Sequence, residues 1–182
     1  MRIRTLLPAL LLGLLLPATG MAEGYGIQPG DVLEISVWRE EDLAREVLVR
    51  PDGGISFPLV GDLQAQGRTV AELRQTIAER LQKYIPDPEV TVAVKQIAGN
   101  TVFVIGKVAR PGAFIMSQPM DVMQALSMAG GTTTFAALNK IKVLRRADGR
   151  ETAIPFRYAE VEAGENLEQN ILLRPGDVVV VP

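Results

Sequence analysis

Few residues of this 182-residue chain could do chemistry, because it contains no histidine and no cysteine. Without Cys there is no thiolate for zinc, an iron–sulfur cluster or a redox pair, and no disulfide. Without His there is no imidazole for a Ser-His-Asp or Cys-His arrangement, or as a metal ligand. Catalysis would rest on carboxylates, lysine, tyrosine or serine alone. Asp31 and Asp177 are the candidate acid pair for proton transfer. Both follow Pro-Gly, where an Asp accepts hydrogen bonds from the turn's own N–H groups, so turn capping is the expected role.

Four other groups carry weaker signals. Gly130-Gly131-Thr132-Thr133-Thr134 could cradle a phosphate, but it follows an expected helix and so meets the negative end of the dipole. A helix stop is the better account. Asp52-Gly53-Gly54 lacks the repeated acidic positions of a calcium loop and reads as a turn. Trp38 offers a flat face for a sugar ring, or packs in a core or interface, the commoner fate of Trp. Arg145, Arg146, Arg150 and Arg157 either meet an acidic polymer or a partner's carboxylates, or decorate a solvated hairpin. The expectation is no catalytic, cofactor-binding or metal-ligating residue and no cofactor: a protein that is not an enzyme.

The bulk properties agree with a folded, exported chain. There are 19 Lys+Arg against 21 Asp+Glu, for a net charge of -2. That argues against nucleic acid as a partner, whose binders are basic. With 47% hydrophobic and 22% charged residues, bulk disorder is excluded. Arg2 and Arg4 precede an apolar run over 6–16, and small residues Gly20 and Ala22 fit a leader-peptidase cut after Ala22. Residues 1–22 are therefore expected to be a signal peptide, with an uncleaved anchor as the alternative. No Cys follows the run, so no lipid anchor is expected.

The elements that position these groups follow from periodicity. Pro29-Gly30 suits a turn into a strand, where Leu33, Ile35 and Val37 alternate with polar residues. A short strand is expected over 47–50, a turn at Asp52-Gly53, and extended chain over 55–58 ending near Gly61. The spacing of Val70, Leu73, Ile77, Leu81 and Tyr84 predicts a helix over 69–85, opened by a Thr69/Glu72 capping box and stopped by Pro86 and Pro88. Val90, Val92 and Val94 mark the next strand. Beyond Gly99-Asn100, strands are expected over 101–105 and 113–116. A helix follows over 119–129 with a Met120, Met123, Leu126 and Ala129 stripe. A hairpin turns at Asp148-Gly149, and a last turn and strand cover 172–182. One hexapeptide echoes: Ile27-Gln28-Pro29-Gly30-Asp31-Val32 returns as Leu173-Arg174-Pro175-Gly176-Asp177-Val178, each launching an apolar strand.

Several of these stretches resemble one family. They are residues 25–37, 49–61 with Arg50-Pro51-Asp52-Gly53-Gly54, and Tyr84-Ile85-Pro86-Asp87-Pro88-Glu89-Val90. Their order is similar to the export domain of the outer-membrane polysaccharide export (OPX, Wza-type) proteins. Val104-Ile105-Gly106-Lys107-Val108, Arg110-Pro111-Gly112, Ala129-Gly130-Gly131 and the closing 173–182 resemble the soluble-ligand-binding β-grasp (SLBB) domain. The resemblance implies an α+β fold of two small lobes: signal peptide 1–22, an α/β polysaccharide-export domain 23–98, and an SLBB β-grasp-like domain 99–182.

It also implies transport without catalysis. The protein is expected to be a periplasmic part of an exopolysaccharide or capsule translocon. It would be a homo-oligomeric ring that conducts or gates the polymer towards the outer membrane. The implied partners are the polysaccharide, an inner-membrane copolymerase, and a separate outer-membrane pore or β-barrel. That separate pore is expected because no terminal amphipathic helix precedes Pro182. Attachment to the outer membrane would run through partners. The alternative is a monomeric periplasmic module that binds a sugar or small ligand. A carboxylate-based glycan hydrolase would need two opposed acids in a cleft, and no such pair stands out.

Overall fold

The structure, a computed structural model, describes residues 24–147 and 149–182. The expected leader and Asp148 of the expected hairpin turn lie outside the described residues. The architecture is α+β, as expected, with two separate hydrophobic cores. The first draws on Ile27 to Val92, the second on Val102 to Val181.

In the first lobe β1 (Val32–Val37) lies between β2 (Glu40–Leu48) and β5 (Val90–Gln96), both antiparallel to it. Leu33 and Ile35 are fully buried, which the period of two requires. β3 (Gly54–Phe57) and β4 (Gly61–Gln64) form a hairpin, and α1 (Val70–Leu81) covers the core with Leu73, Ile77 and Leu81. The Thr69/Glu72 capping box forms on both sides, satisfying orphan N–H groups at the helix start.

Three expectations in this lobe need correction. β2 starts at Glu40, well before residue 47. Ile35 faces Arg45 but Val37 faces Glu40, so β2 bulges and its buried Leu43 and Val47 lose the alternation that marks a strand. Gly61 opens a strand instead of ending one, because Leu63 pairs with Ile55 across the hairpin. Tyr84 is 60% exposed instead of continuing the helical stripe. The helix stops at Leu81 and the Tyr84 N–H turns back to the Leu81 carbonyl, which breaks the 3.6-residue period.

The second lobe is a five-stranded sheet in the order β7-β6-β10-β8-β9. These are β6 (Thr101–Gly106), β7 (Gly112–Ile115), β8 (Ile141–Ala147), β9 (Arg150–Phe156) and β10 (Val178–Val181). The last strand enters between β6 and β8, parallel to the first and antiparallel to the second. α2 (Val122–Met128) begins later than residue 119 because Asp121 is its N-cap, in a reciprocal box with Gln124. Its inner face is Val122, Ala125 and Leu126; Met120 and Ala129 of the expected stripe are buried just outside its ends. A short α3 (Tyr158–Glu162) was not expected, since only Val161 on it is buried.

Candidate functional site

The echoed hexapeptides fold into the same turn. In the first, Asp31 N–H donates to the Gln28 carbonyl and Gln28 N–H donates back to the Asp31 carboxylate at 2.9 Å. In the second, Asp177 N–H donates to the Arg174 carbonyl and Arg174 N–H donates back to Asp177 at 2.8 Å. Gly30 and Gly176 sit at φ 93° and 85°, a conformation that L side chains resist. Pro precedes each Gly with φ preset, so sequence alone drives both turns.

Both carboxylates are buried, Asp31 at 0% and Asp177 at 1% exposure. A buried carboxylate is tolerated only when its oxygens find donors, and each does, Asp177 from a cation as well. Asp31 also accepts from the Tyr25 hydroxyl and from the N–H groups of Ala98 (3.1 Å) and Gly99 (2.9 Å). Burial, then the hydrogen bond to Asp31, pushes the Tyr25 phenol above its ordinary range. Asp177 is gripped by Arg145, with Nη2 at 2.6 Å and Nε at 3.0 Å, and the same guanidinium donates to the Leu172 carbonyl. The hydrogen bond to Asp177 raises the Arg145 pKa further, so the guanidinium stays charged.

The two acids therefore share no donor, and capping is the role each fills. Asp31 adds a task that spacing does not reveal. It binds the first lobe's turn to the chain at Ala98 and Gly99, which leads into the second lobe. A Cβ at Gly99 would sit 2.2 Å from the Pro29 carbonyl oxygen, so only glycine allows that approach.

Between these turns lies a cleft of about 360 Å³. One lip carries Tyr25 and Gln28; the other carries Leu172, Arg174 and Pro175; Asn100 and residues 116–119 complete it. Gln28 and Arg174 occupy the same position in the two hexapeptides. The turns that Asp31 and Asp177 hold rigid thus present equivalent side chains to one cleft.

The remaining candidates separate. Trp38 is 70% exposed at the β1–β2 turn, so the packing expected for it is not in this chain's core. Arg145 leaves the basic patch for its buried ion pair, Arg146 faces Glu151 at 3.7 Å, and Arg157 pairs with Glu160 at 2.9 Å. Arg157, Asn166 and Gln169 together hold the Glu160 carboxyl down at about 2. The Gly130-Gly131 run closes the end of α2, with Gly130 and Gly131 N–H groups donating to the Ser127 and Leu126 carbonyls. Arg110 donates to the Met128 carbonyl there, a cation at the negative end of a helix. Asp52 accepts from Gly54 N–H and from Arg50, which also reaches Asp62 and Ser56, so this acid serves a turn and a surface ion pair. Among the described residues no cluster of acids could hold a metal ion, and no helix is long and apolar enough to cross a membrane.

Residues 20–95 match the family model described as polysaccharide biosynthesis/export protein, and residues 100–181 match the SLBB domain. The chain belongs to the polysaccharide export family. Among the relatives of this export-family chain is the EPS I polysaccharide export outer membrane protein EpsA of Ralstonia nicotianae. It is 30% identical over 190 residues, covering 91% of this chain and 49% of that protein. The capsule polysaccharide export outer membrane protein CtrA of Neisseria meningitidis is 27% identical, covering 90% of this chain and 46% of its own length. The exopolysaccharide production protein ExoF of Rhizobium meliloti is 33% identical over 103 residues, 55% of this chain and 21% of that protein. The chain spans about half the length of the first two relatives.

Within this export-family chain, residue types alone did not mark Tyr25, Gln28, Arg145 or Arg174 as members of one constellation. The signal that could have found two of them is the echo. Gln28 and Arg174 each stand immediately before Pro-Gly-Asp. Arg145 carries no such signal, because its ion pair with Asp177 spans 32 positions.

Proposed function

We propose that this protein is a periplasmic component of an exopolysaccharide or capsule export translocon. It forms an oligomeric ring that conducts or gates the polymer towards the outer membrane. The observation that carries the reading is the succession, over nearly all described residues, of an export domain and an SLBB domain. The chemistry supports transport over turnover: the two buried carboxylates are occupied by capping and pairing, and neither is presented to a substrate. Exposed apolar residues support assembly. Phe103, Ile105 and Ile115 stand on the sheet face opposite the second core, at 42–52% exposure. Lobes this small gain stability when such a face is covered.

The partners in this reading are an inner-membrane copolymerase and a separate outer-membrane pore, and the division between lobes falls at residues 98 and 99. The test is a clean deletion of the gene, with polysaccharide quantified outside and inside the cell. Loss of surface polymer with material retained or synthesis stalled is the expected result, together with a sedimentation velocity profile of the mature protein showing a closed oligomer. Unchanged surface polymer and a monomer would overturn the reading in favour of a ligand-binding module.

A further inference from the structure

Resting on the export reading, we infer that the cleft between the lobes is a subsite for an acidic sugar unit of the exported polymer. Arg174 receives the sugar's carboxylate. Three observations converge on this. The first is size and setting. At about 360 Å³ the cleft falls in the range of small-ligand sites, roughly 300–1,000 Å³. It is neither enclosed nor flat, which suits a unit of a chain that must enter and leave.

The second is chemistry. A pyranose has apolar C–H faces and a rim of hydroxyls. Tyr25 and Leu172 give the cleft apolar surface, and Leu172 is 61% exposed among the described residues. The amides of Gln28, Asn100 and Gln118 supply the polar rim. Gln28 donates to the Gly26 carbonyl and Asn100 to the Met116 carbonyl, so each side-chain carbonyl is held ready to accept a hydroxyl. The Tyr25 hydroxyl is tied to Asp31, which orients its ring.

The third is charge. Arg174 is exposed, and within the turn only its backbone N–H and carbonyl are paired. Its guanidinium has no ion-pair partner among the described residues. The carboxylates of the two turns are already occupied, Asp177 by Arg145 and Asp31 by four donors. A guanidinium without an ion pair among the described residues, beside side-chain amides, fits a carboxylate bidentately. Gln28 and Arg174 sit on turns fixed by buried carboxylates, so their backbone needs little ordering on binding.

The experiment follows amide and side-chain NMR shifts of the full mature protein as it is titrated with digalacturonate or with neutral maltose. Digalacturonate is expected to move residues 24–28, 100, 116–118 and 172–175 saturably, and maltose to move the same set with weaker affinity. Arg174→Gln should weaken digalacturonate binding roughly ten- to hundredfold, the loss of one charge-assisted contact, and leave maltose binding unchanged. Gln118→Ala should weaken both sugars. Equal digalacturonate affinity in wild type and Arg174→Gln would overturn the inference. So would shifts confined to other residues, or no shifts with either sugar. The same amides responding to protein dilution instead of sugar would make the cleft a subunit contact and also overturn it. These failures leave the export reading standing if deletion still abolishes surface polymer; unchanged polymer on deletion removes that reading and the subsite with it.

Discussion

At the head of the first lobe, Asp31 accepts only from neutral donors: the Tyr25 hydroxyl and the N–H groups of Gln28, Ala98 and Gly99. At the matching turn of the second lobe, Asp177 accepts from one N–H group and from the guanidinium of Arg145. The backbone device is the same and the compensation is not. The first turn uses its carboxylate to hold the segment that joins the lobes. The second uses it to lock the turn onto β8 of its own sheet. One local motif thus serves two ends, because a buried carboxylate recruits whatever donors the tertiary structure brings to it.

The contrast predicts an order of effects. Asp177→Ala leaves Arg145 half-enclosed and without its counter-ion, and should cost about 3–5 kcal/mol in urea unfolding, the typical result of breaking a buried pair. Asp31→Ala strands neutral donors only and should cost less, about 2–3 kcal/mol. If the Asp31 variant were the weaker of the two proteins, the distinction between ionic and neutral compensation would be wrong.

Gly99→Ala tests whether the first turn and the interlobe segment must stay in contact. The added Cβ would fall 2.2 Å from the Pro29 carbonyl oxygen, so about 1–3 kcal/mol should be lost through overpacking. A change in unfolding midpoint within experimental error would mean that the contact separates freely.

The smallest effect is in the pH profile and sharpens the comparison most directly. The Tyr25 phenol is raised above its ordinary 10.0 by burial and by Asp31. The folded protein then keeps a proton that the unfolded chain releases. The resulting stabilisation is complete below pH 10.0 and is lost as pH climbs from there through the folded value. Tyr25→Phe should flatten that alkaline decline in a denaturation series, whereas the second turn has no phenol and Arg145 remains charged throughout. An alkaline limb of unchanged slope in Tyr25→Phe would remove Tyr25 from the account.

Much of this architecture was legible beforehand. α1 was readable because a capping box and an apolar stripe coincide, and β1 and β5 because their side chains alternate. β2 was mostly invisible: its bulge separates Leu43 from Val47 and leaves Glu40, Glu41 and Asp42 without a strand pattern. β4 and α3 were missed because each buries a single large apolar side chain, too little for any period to show. Of the cleft, both hexapeptides were visible as motifs, but their facing one another was not. The expected basic patch failed at Arg145 for a related reason, since its partner is remote in sequence.

The sequence by itself determined the two Pro-Gly-Asp turns. Proline presets φ, glycine admits a positive φ, and Asp can reach the N–H three residues back, all within six positions. It also determined the capped helix and the alternating strands, which are local periodicities. Only the tertiary structure decided that Asp31 would hold Gly99, that Asp177 would capture Arg145, and that Gln28 and Arg174 would share a cleft. Those contacts join residues far apart in the chain. They depend on how two separate cores pack and on donors arriving where a buried charge requires them.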